Sequence, residues 1–170
     1  MNKKLKIIIT GGTFDKEYKE TTGELYFKKT HVHEMLRLGR STLPTAITSL
    51  MLIDSLDMKQ SHRLKILRAC QKAPEDRVVI THGTDTMPVT AKFLGTKIKN
   101  KTIVLTGAMV PYKFGSSDGL FNLGAALIAA QTLPHGVYIV MNGRIFSSNN
   151  VWKDTSIGRF KVHKRPKIKN

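Results

Sequence analysis

The chain reads VVITHGTDTM over residues 78–87, a short apolar run that ends in a glycine turn rich in hydroxyl groups. A second stretch, LKIIITGGT over residues 5–13, has the same plan. Apolar β-branched runs of this length are typical of buried parallel strands, and glycine lets the following backbone approach a ligand closely. Because ligands of open α/β sheets gather at the carboxyl ends of the strands, both turns are predicted to lie at one edge of a sheet.

Strand-like and helix-like segments alternate along the rest of the chain. This alternation predicts an α/β fold, with a mostly parallel sheet of about five strands and helices on both faces, in the three-layer manner of Rossmann-like or flavodoxin-like domains. Asp118 is expected to cap the last helix. Residues 14–29 are expected to form a long polar loop that acts as a lid, and residues 142–170 a short strand and a basic tail. The predicted strands cover 5–9, 46–53, 77–80, 102–105 and 137–141, and the predicted helices 31–38, 60–73, 86–94 and 120–133.

The composition fits one domain, residues 1–170, with an unusual positive charge. Twenty-eight Lys and Arg residues face twelve acidic ones, giving a net charge of +16, and the basic tail over 159–170 contains no acid. Such a surface attracts anions, but Phe160 is the one aromatic residue in the tail, which argues against a nucleic-acid platform. No apolar stretch approaches the roughly 18 residues of a membrane span. The single Cys70 lies in an apolar segment and has no internal disulfide partner, which favours the cytoplasm.

Threonine and lysine are the reactive side chains that this pattern brings to the sheet edge. Thr13 and Thr84 follow the first and third predicted strands, and Lys153 follows the fifth. A threonine hydroxyl needs a neighbouring base, and a lysine oriented by a carboxylate can act as one, so a Thr84–Lys153–Asp85 relay fits an acyl-transfer site. Each residue alone also has a structural interpretation: Thr13 and Asp85 as caps, and Lys153 as a surface charge.

Motifs for other chemistries are missing from the sequence. There is no G-x-G-x-x-G after the first strand, no P-loop, no Cys-x-x-Cys and no His-Glu-x-x-His. His31 and His33 lie two residues apart on a predicted helix and therefore point to different faces, which disfavours a metal site there. The sequence thus predicts neither a metal nor a cofactor.

Five motifs in order along nearly the whole chain resemble the L-asparaginase/glutaminase family of threonine amidohydrolases. The two signatures are ITGGTF over 9–14 and THGTDTM over 81–87. The resemblance implies an asparaginase N-terminal-type domain that works without a cofactor. Supporting motifs are LTGAMVP over 105–111, DGLFNL over 118–123 and VYIVMN over 137–142.

The resemblance also implies catalytic roles. Thr13 matches the nucleophile that attacks the side-chain amide carbonyl and forms a β-aspartyl ester. The family's assisting tyrosine lies in the mobile loop, and by spacing we match it to Tyr18 rather than Tyr26. Thr84 and Lys153 match the second threonine and the lysine of the relay. The acid beside that threonine, which contacts the substrate α-amino group, is Asp85 in this chain.

A second group of positions matches substrate contacts. The resemblance implies that Ser55 binds the substrate α-carboxylate and that the Ala108 backbone contacts the substrate amide. Gly12, Gly83 and Asp57 complete the predicted substrate-binding set, because they follow the same strands.

Two features depart from the family pattern. The family's serine is usually followed by a glutamine that contacts substrate, whereas position 56 is Leu56 here. Most members also have a second, C-terminal domain that closes the neighbouring subunit's site, and this chain matches the N-terminal domain alone. We therefore expect a more open site with weak affinity for substrate.

Hydrolysis of L-asparagine to L-aspartate and ammonia is the function that the resemblance implies. An asparaginase-like, ammonia-releasing subunit of a tRNA-dependent amidotransferase is one alternative, and a non-catalytic module that binds asparagine or RNA is another. The helix over 120–133 is apolar nearly all round, which predicts a homo-oligomer, most simply a two-fold dimer.

Overall fold

A six-stranded sheet forms the centre of the structure, a computed structural model that describes residues 4–163. Its strand order is β4-β1-β5-β6-β7-β8, in which all neighbours are parallel except β7 and β8. The mostly parallel α/β fold expected from the sequence is confirmed. In chain order the elements are β1 Leu5–Gly11, β2 Lys16–Lys19, β3 Glu24–Phe27, α1 Val32–Leu38, β4 Thr45–Ile53, α2 Gln60–Lys72, β5 Arg77–Thr81, α3 Met87–Lys97, β6 Thr102–Thr106, α4 Gly119–Thr132, β7 Gly136–Met141, β8 Arg144–Ser147, β9 Trp152–Asp154 and β10 Arg159–Lys161.

Both faces of the sheet are buried, and this explains the unbroken apolar runs of the strands. Successive side chains of a strand point to opposite faces, so Ile8 packs in the cluster that contains α2 and α3. Ile7 and Ile9 pack in the other cluster, with α1 and α4. Helices therefore cover both faces, which is the expected three-layer arrangement.

Residues 14–29 differ from the predicted loop. A short 3-10 turn over Thr13–Asp15 leads into an antiparallel hairpin of β2 and β3, in which Tyr18 pairs with Leu25. Most of these strand residues are charged or exposed, so the sequence lacks the apolar alternation that signals a strand. Phe14 and Asp15 at the base of this hairpin are fully buried.

The C-terminal part contains more strands than the sequence predicts. β8 adds an antiparallel sixth strand to the sheet, and β9 and β10 form a small sheet of their own. The predicted basic tail therefore begins with a strand, and Phe160 is buried against Phe146 with ring centroids 6.1 Å apart. The rest of the predicted tail, residues 164–170, lies outside the described part of the chain.

Asp118 does not cap α4 as expected. It stands at the N-cap position of the helix, but its carboxylate makes no hydrogen bond to the helix N–H groups. It accepts hydrogen bonds from the N–H groups of Met109 and Val110 instead, at 2.9 and 3.1 Å.

Among residues 4–163, no helix combines the length and apolar character that crossing a membrane requires.

Candidate active site

Two glycine turns touch at the carboxyl edge of the sheet. The Thr13 turn, residues 10–13, ends β1, and the Thr84 turn, residues 81–87, follows β5. At Gly12 φ is +83°, and a Cβ built there would lie 2.3 Å from the nitrogen of Gly83, so a side chain has no room. The contact brings the two predicted catalytic threonines to neighbouring positions.

A third segment joins them from the end of β4. The Ser55 loop, residues 54–58, lies so close that a Cβ on Gly83 would be 2.6 Å from Ser55 Oγ. The Thr86 N–H donates to Ser55 Oγ at 3.4 Å, and the Thr86 hydroxyl donates to the Ser55 carbonyl at 2.7 Å. Ser55 is fully buried by these contacts. The Ser55 loop and the Thr84 turn are therefore held together as one unit.

Lys153 reaches this unit from β9. Its ammonium donates to Thr84 Oγ1 at 2.8 Å and to Asp85 Oδ1 at 2.6 Å. The lysine side chain is 7% exposed and the Asp85 side chain 38% exposed, so the cation is covered while the carboxylate still faces solvent. The structure thus brings the three relay residues together, although Lys153 lies 69 positions after Thr84 and 68 after Asp85 in the sequence.

The small β9–β10 sheet explains how Lys153 is held. Phe160 pairs with Lys153 across the two strands and buries its ring in the core. Lys161 and Asp154 form an ion pair at 2.7 Å on the same sheet. The Lys161 contact, and secondly a hydrogen bond from the Ser156 hydroxyl, lower the pKa of Asp154, so this ion pair persists at neutral pH.

The N–H of Gly12 is used within the fold and is not free to bind substrate. Its N–H donates to the Ile53 carbonyl at 3.1 Å and is therefore occupied within the fold. Thr13 itself is partly exposed and begins the 3-10 turn. Stabilisation of a developing oxyanion would have to come from other N–H groups of the two turns.

A network around α4 holds the segment that contains Ala108. Ala108 follows β6 and is fully buried. Asn122 donates to the Gly107 carbonyl and to the Asp118 carboxylate, both at 2.9 Å. Its side-chain oxygen accepts the N–H of Asn142 at 2.9 Å. Asp118 and Asn122 stand four residues apart on one helix face, which is the sequence signal that could have revealed this network.

Two predicted site residues lie apart from this constellation. Tyr18 is 53% exposed, and its hydroxyl lies beside Gly23 at the tip of the hairpin, whereas Thr13 lies at the base. Among residues 4–163 no hydrogen bond joins Tyr18 to Thr13. Asp57 is exposed in the Ser55 loop, where its N–H closes a turn on the Asp54 carbonyl. Their roles stay predictions.

An ion pair connects the hairpin to the Ser55 loop. The Lys16 ammonium contacts the carboxylate of Asp54, which also accepts the Leu56 N–H at 3.0 Å. Burial acts to raise the pKa of Asp54, but Lys16 and the Leu56 N–H outweigh it, so this pKa lies below its usual value. Sequence reasoning did not find this contact, because neither residue belongs to a motif.

The base of the hairpin carries a buried carboxylate close to Thr13. Asp15 accepts the His31 N–H at 2.9 Å and the Thr30 hydroxyl at 3.1 Å. Burial raises the pKa of Asp15 in spite of these two donors.

Among residues 4–163, no group of three or more His, Cys, Asp or Glu side chains is arranged to hold a metal ion.

Comparison with known proteins finds one family for most of the chain. The model of the asparaginase N-terminal domain matches residues 4–168. L-asparaginase 2 of Escherichia coli (strain K12) is 42% identical over 103 residues, covering 57% of this chain and 29% of that protein. The thermostable L-asparaginase from Thermococcus kodakarensis superposes with a TM-score of 0.84 at 29% identity, covering 96% of this chain and 52% of that one.

A relative with another name also matches. A glutamyl-tRNA(Gln) amidotransferase subunit of Methanococcus vannielii is 31% identical over 150 residues, covering 84% of this chain and 35% of that protein. The chain thus spans between 29% and 52% of the length of these three proteins.

Proposed function

The chain belongs to the asparaginase family, and we propose that it hydrolyses L-asparagine to L-aspartate and ammonia. The observation that carries this proposal is the contact of the Lys153 ammonium with both Thr84 and Asp85, on a turn that abuts the Thr13 turn. A hydroxyl nucleophile, a second hydroxyl, a lysine and a carboxylate are the groups that acyl transfer by threonine needs.

In the proposed reaction, the Thr13 hydroxyl oxygen attacks the side-chain carbonyl carbon of asparagine. The hydroxyl proton passes to the departing nitrogen, the carbon–nitrogen bond breaks, and ammonia leaves a β-aspartyl ester on Thr13. Water then attacks the ester carbon, its proton returns to the threonine oxygen, and aspartate leaves. A proton is thus moved once in each half of the reaction.

The relay residues are assigned to these proton transfers. Lys153 and Thr84 exchange the proton over their 2.8 Å contact, and Asp85 orients the lysine. Tyr18 assists the nucleophile, which requires its hydroxyl to approach Thr13 by movement of the hairpin. In the same proposal, the exposed carboxylate of Asp85 also receives the substrate α-amino group.

Substrate binding is assigned to the segments around this centre. Ser55 holds the α-carboxylate, with Asp57, Gly12, Gly83 and the Ala108 backbone completing the site. Glutamine should be a poor substrate, because one additional methylene displaces its carbonyl from the nucleophile once the α-carboxylate is fixed.

Ammonia release from the purified chain tests the proposal directly. The assay compares asparagine, glutamine and no substrate, with Thr13→Ala as the matched inactive variant. Turnover of asparagine that disappears in the variant supports the proposal, whereas binding of asparagine without ammonia release would favour the non-catalytic module.

Similarity to an amidotransferase subunit supports a second candidate. In that case, the same threonine chemistry would release ammonia for use on an acylated tRNA. An ammonia release that is slow alone and rises strongly with charged tRNA and a partner subunit would identify this function. Release that is unaffected by tRNA would favour the free asparaginase.

We also propose a cytoplasmic location and self-association through an apolar surface of α4 and β8. This surface exposes Phe121, Ile128 and Ile145, which are 63%, 62% and 53% exposed. Because a charge of +16 per chain opposes association, a dimer should tighten as added salt screens the repulsion. Sedimentation of wild type and Ile128→Glu tests this, with Val89→Glu as the control on α3. A monomer at every protein and salt concentration would contradict it.

A further inference from the structure

Arg63 is a buried cation that the proposed chemistry does not use. It lies on α2, where it shares the buried face with Ile66, Leu67 and Cys70, and it is 7% exposed. Buried arginines are normally paired with a carboxylate. Among residues 4–163, the ion pairs of the fold leave Arg63 without one. Burial lowers its pKa below the usual value, but a guanidinium remains charged at neutral pH.

The guanidinium is satisfied by three oxygen acceptors, one each on the Ser55 loop, the Thr84 turn and α3. Its Nη1 donates to the Met58 carbonyl at 2.9 Å, at the end of the Ser55 loop. Its Nε donates to the Thr90 hydroxyl and its Nη2 to the Thr86 hydroxyl, both at 3.1 Å. A planar group with donors in a fixed fork sets the relative position of whatever its donors bind.

One chain of hydrogen bonds leads from Arg63 to Ser55. Arginine can only donate, so the Thr86 oxygen accepts from Nη2 and its own proton is free to donate. That proton goes to the Ser55 carbonyl at 2.7 Å. The direction of both bonds is therefore fixed by the arginine.

A second chain leads from Arg63 to the Thr84 turn. The Thr90 oxygen accepts from Nε and lies 2.9 Å from His82 Nε2. His82 Nδ1 lies 2.7 Å from the Gly83 carbonyl, which can only accept, so Nδ1 carries the proton of the neutral ring and Nε2 accepts from Thr90. Burial, with the Arg63 charge as a further cause, lowers the pKa of His82 to about 4, so the ring is neutral at physiological pH.

We propose that Arg63 is a positioning residue, which aligns the Ser55 loop and the Thr84 turn through these two chains and so sets the geometry of the substrate site. It touches neither substrate nor the reacting atoms. A neutral polar side chain could not replace it, because it could not donate at once to Met58, Thr86 and Thr90. The kinetic part of this inference rests on the proposed function, and the structural part does not.

The first test separates the two chains by kinetics on asparagine. Thr86→Val cuts the chain to Ser55 and should mainly raise KM, whereas Thr90→Val cuts the chain to the Thr84 turn and should mainly lower kcat. Arg63→Met should do both, each by about tenfold or more, and Arg63→Lys, which retains the charge, should recover part of the loss. Arg68→Met on the exposed face of the same helix is the control and should behave as wild type.

The second test needs no turnover. The imidazole signals of His82 are followed by NMR against pH in wild type and in Arg63→Met. Arg63→Met removes the neighbouring cation and leaves the Thr90 oxygen free to accept a hydrogen bond from a protonated ring. The pKa of His82, about 4 in wild type, should therefore be higher in the variant.

The outcomes distinguish this inference from the proposed function. A wild-type protein that shows no ammonia release refutes the function, while the His82 titration still decides whether Arg63 controls the turn. A folded Arg63→Met protein with wild-type kcat, KM and His82 titration would overturn the inference. An Arg63→Met protein in which only the melting temperature falls would overturn it as well.

Discussion

The two halves of the candidate site are built differently. The half formed by the Thr84 turn and the Ser55 loop has a buried framework that includes Ser55 and His82, with Asp57 and Asp85 at its surface, and a continuous hydrogen-bond network from Arg63 crosses it. The other half is the hairpin, whose residues 18–25 are exposed and whose side chains reach the Ser55 loop through the pair of Lys16 and Asp54. Thr13 lies at the junction. We expect the buried framework to position this nucleophile and the exposed hairpin to cover it.

Loss of the nucleophile should have the largest effect on this arrangement. Thr13→Ala should lower turnover of asparagine by at least about a thousandfold, because removing an activated nucleophile disables the whole unit. Circular dichroism and melting temperature should remain those of wild type, as Thr13 is only partly buried. Thr21→Ala in the exposed hairpin is the control. More than about a tenth of wild-type activity in a folded Thr13→Ala protein would exclude this role.

Loss of the relay lysine should come next. Lys153→Met removes the group that contacts both Thr84 and Asp85, and turnover should fall about a hundredfold or more. Lys65→Met, at an exposed position on α2, is the control and should leave activity intact. Equal activity of the two variants would remove lysine from the mechanism.

The buried half should be sensitive to acid. Because the pKa of His82 is lowered from 6.5 to about 4, the unfolded chain binds a proton in this range that the folded chain does not. The free energy of unfolding is therefore unaffected by this group above pH 6.5 and decreases as the pH falls toward 4, by up to about 3 kcal/mol.

Urea unfolding at pH 7.5 and pH 5 measures this loss. His82→Gln has no group that titrates there and should show a smaller drop, whereas His33→Gln, at an exposed position, should behave as wild type. An identical drop in wild type and His82→Gln would show that another group is responsible.

The tyrosine assignment tests whether the hairpin takes part in chemistry. Tyr18→Phe should lower kcat by about tenfold if its hydroxyl assists Thr13. Tyr26→Phe, on the neighbouring strand of the hairpin, is the comparison, since spacing alone did not exclude it. If only Tyr26→Phe is impaired, the assignment of Tyr18 is wrong and the opposite face of the hairpin serves the site.

The smallest effect is expected from the ion pair that holds the hairpin. Lys16→Met should speed hydrogen exchange over residues 16–27 and lower kcat by a few-fold, while Lys19→Met at the exposed strand end should do neither. Since the pKa of Asp54 is below its usual value, the wild-type hairpin should stay held at any pH at which an ordinary aspartate is ionised. Slow exchange of the hairpin in both variants would mean that it is as rigid as the Thr84 turn.

Much of the fold could be predicted from the sequence because its signals are local. Buried parallel strands require unbroken apolar runs, and β1, β5 and β6 have them. The hairpin and β10 were not predicted, because their strands carry charged residues and each pairs with a short neighbouring strand, so none of them shows an apolar run. For the same reason the sequence places Phe160 in a basic tail, although its ring lies in the core.

In the candidate site, too, the sequence predicts the residue types and the packing of separate elements determines the contacts. The residue types of the relay, and the place of Thr84 and Asp85 after a strand, followed from the sequence by itself, since a glycine turn after a buried strand determines where its side chains emerge. The sequence did not show that Lys153 lies on a strand of its own, β9. Tertiary structure alone decided that Lys153 lies 2.8 Å from Thr84, that Lys16 holds the Ser55 loop, and that Arg63 joins this loop to the Thr84 turn. Those contacts depend on how separate elements pack, and side-chain hydrogen bonds between distant residues leave no periodic signal in a single chain.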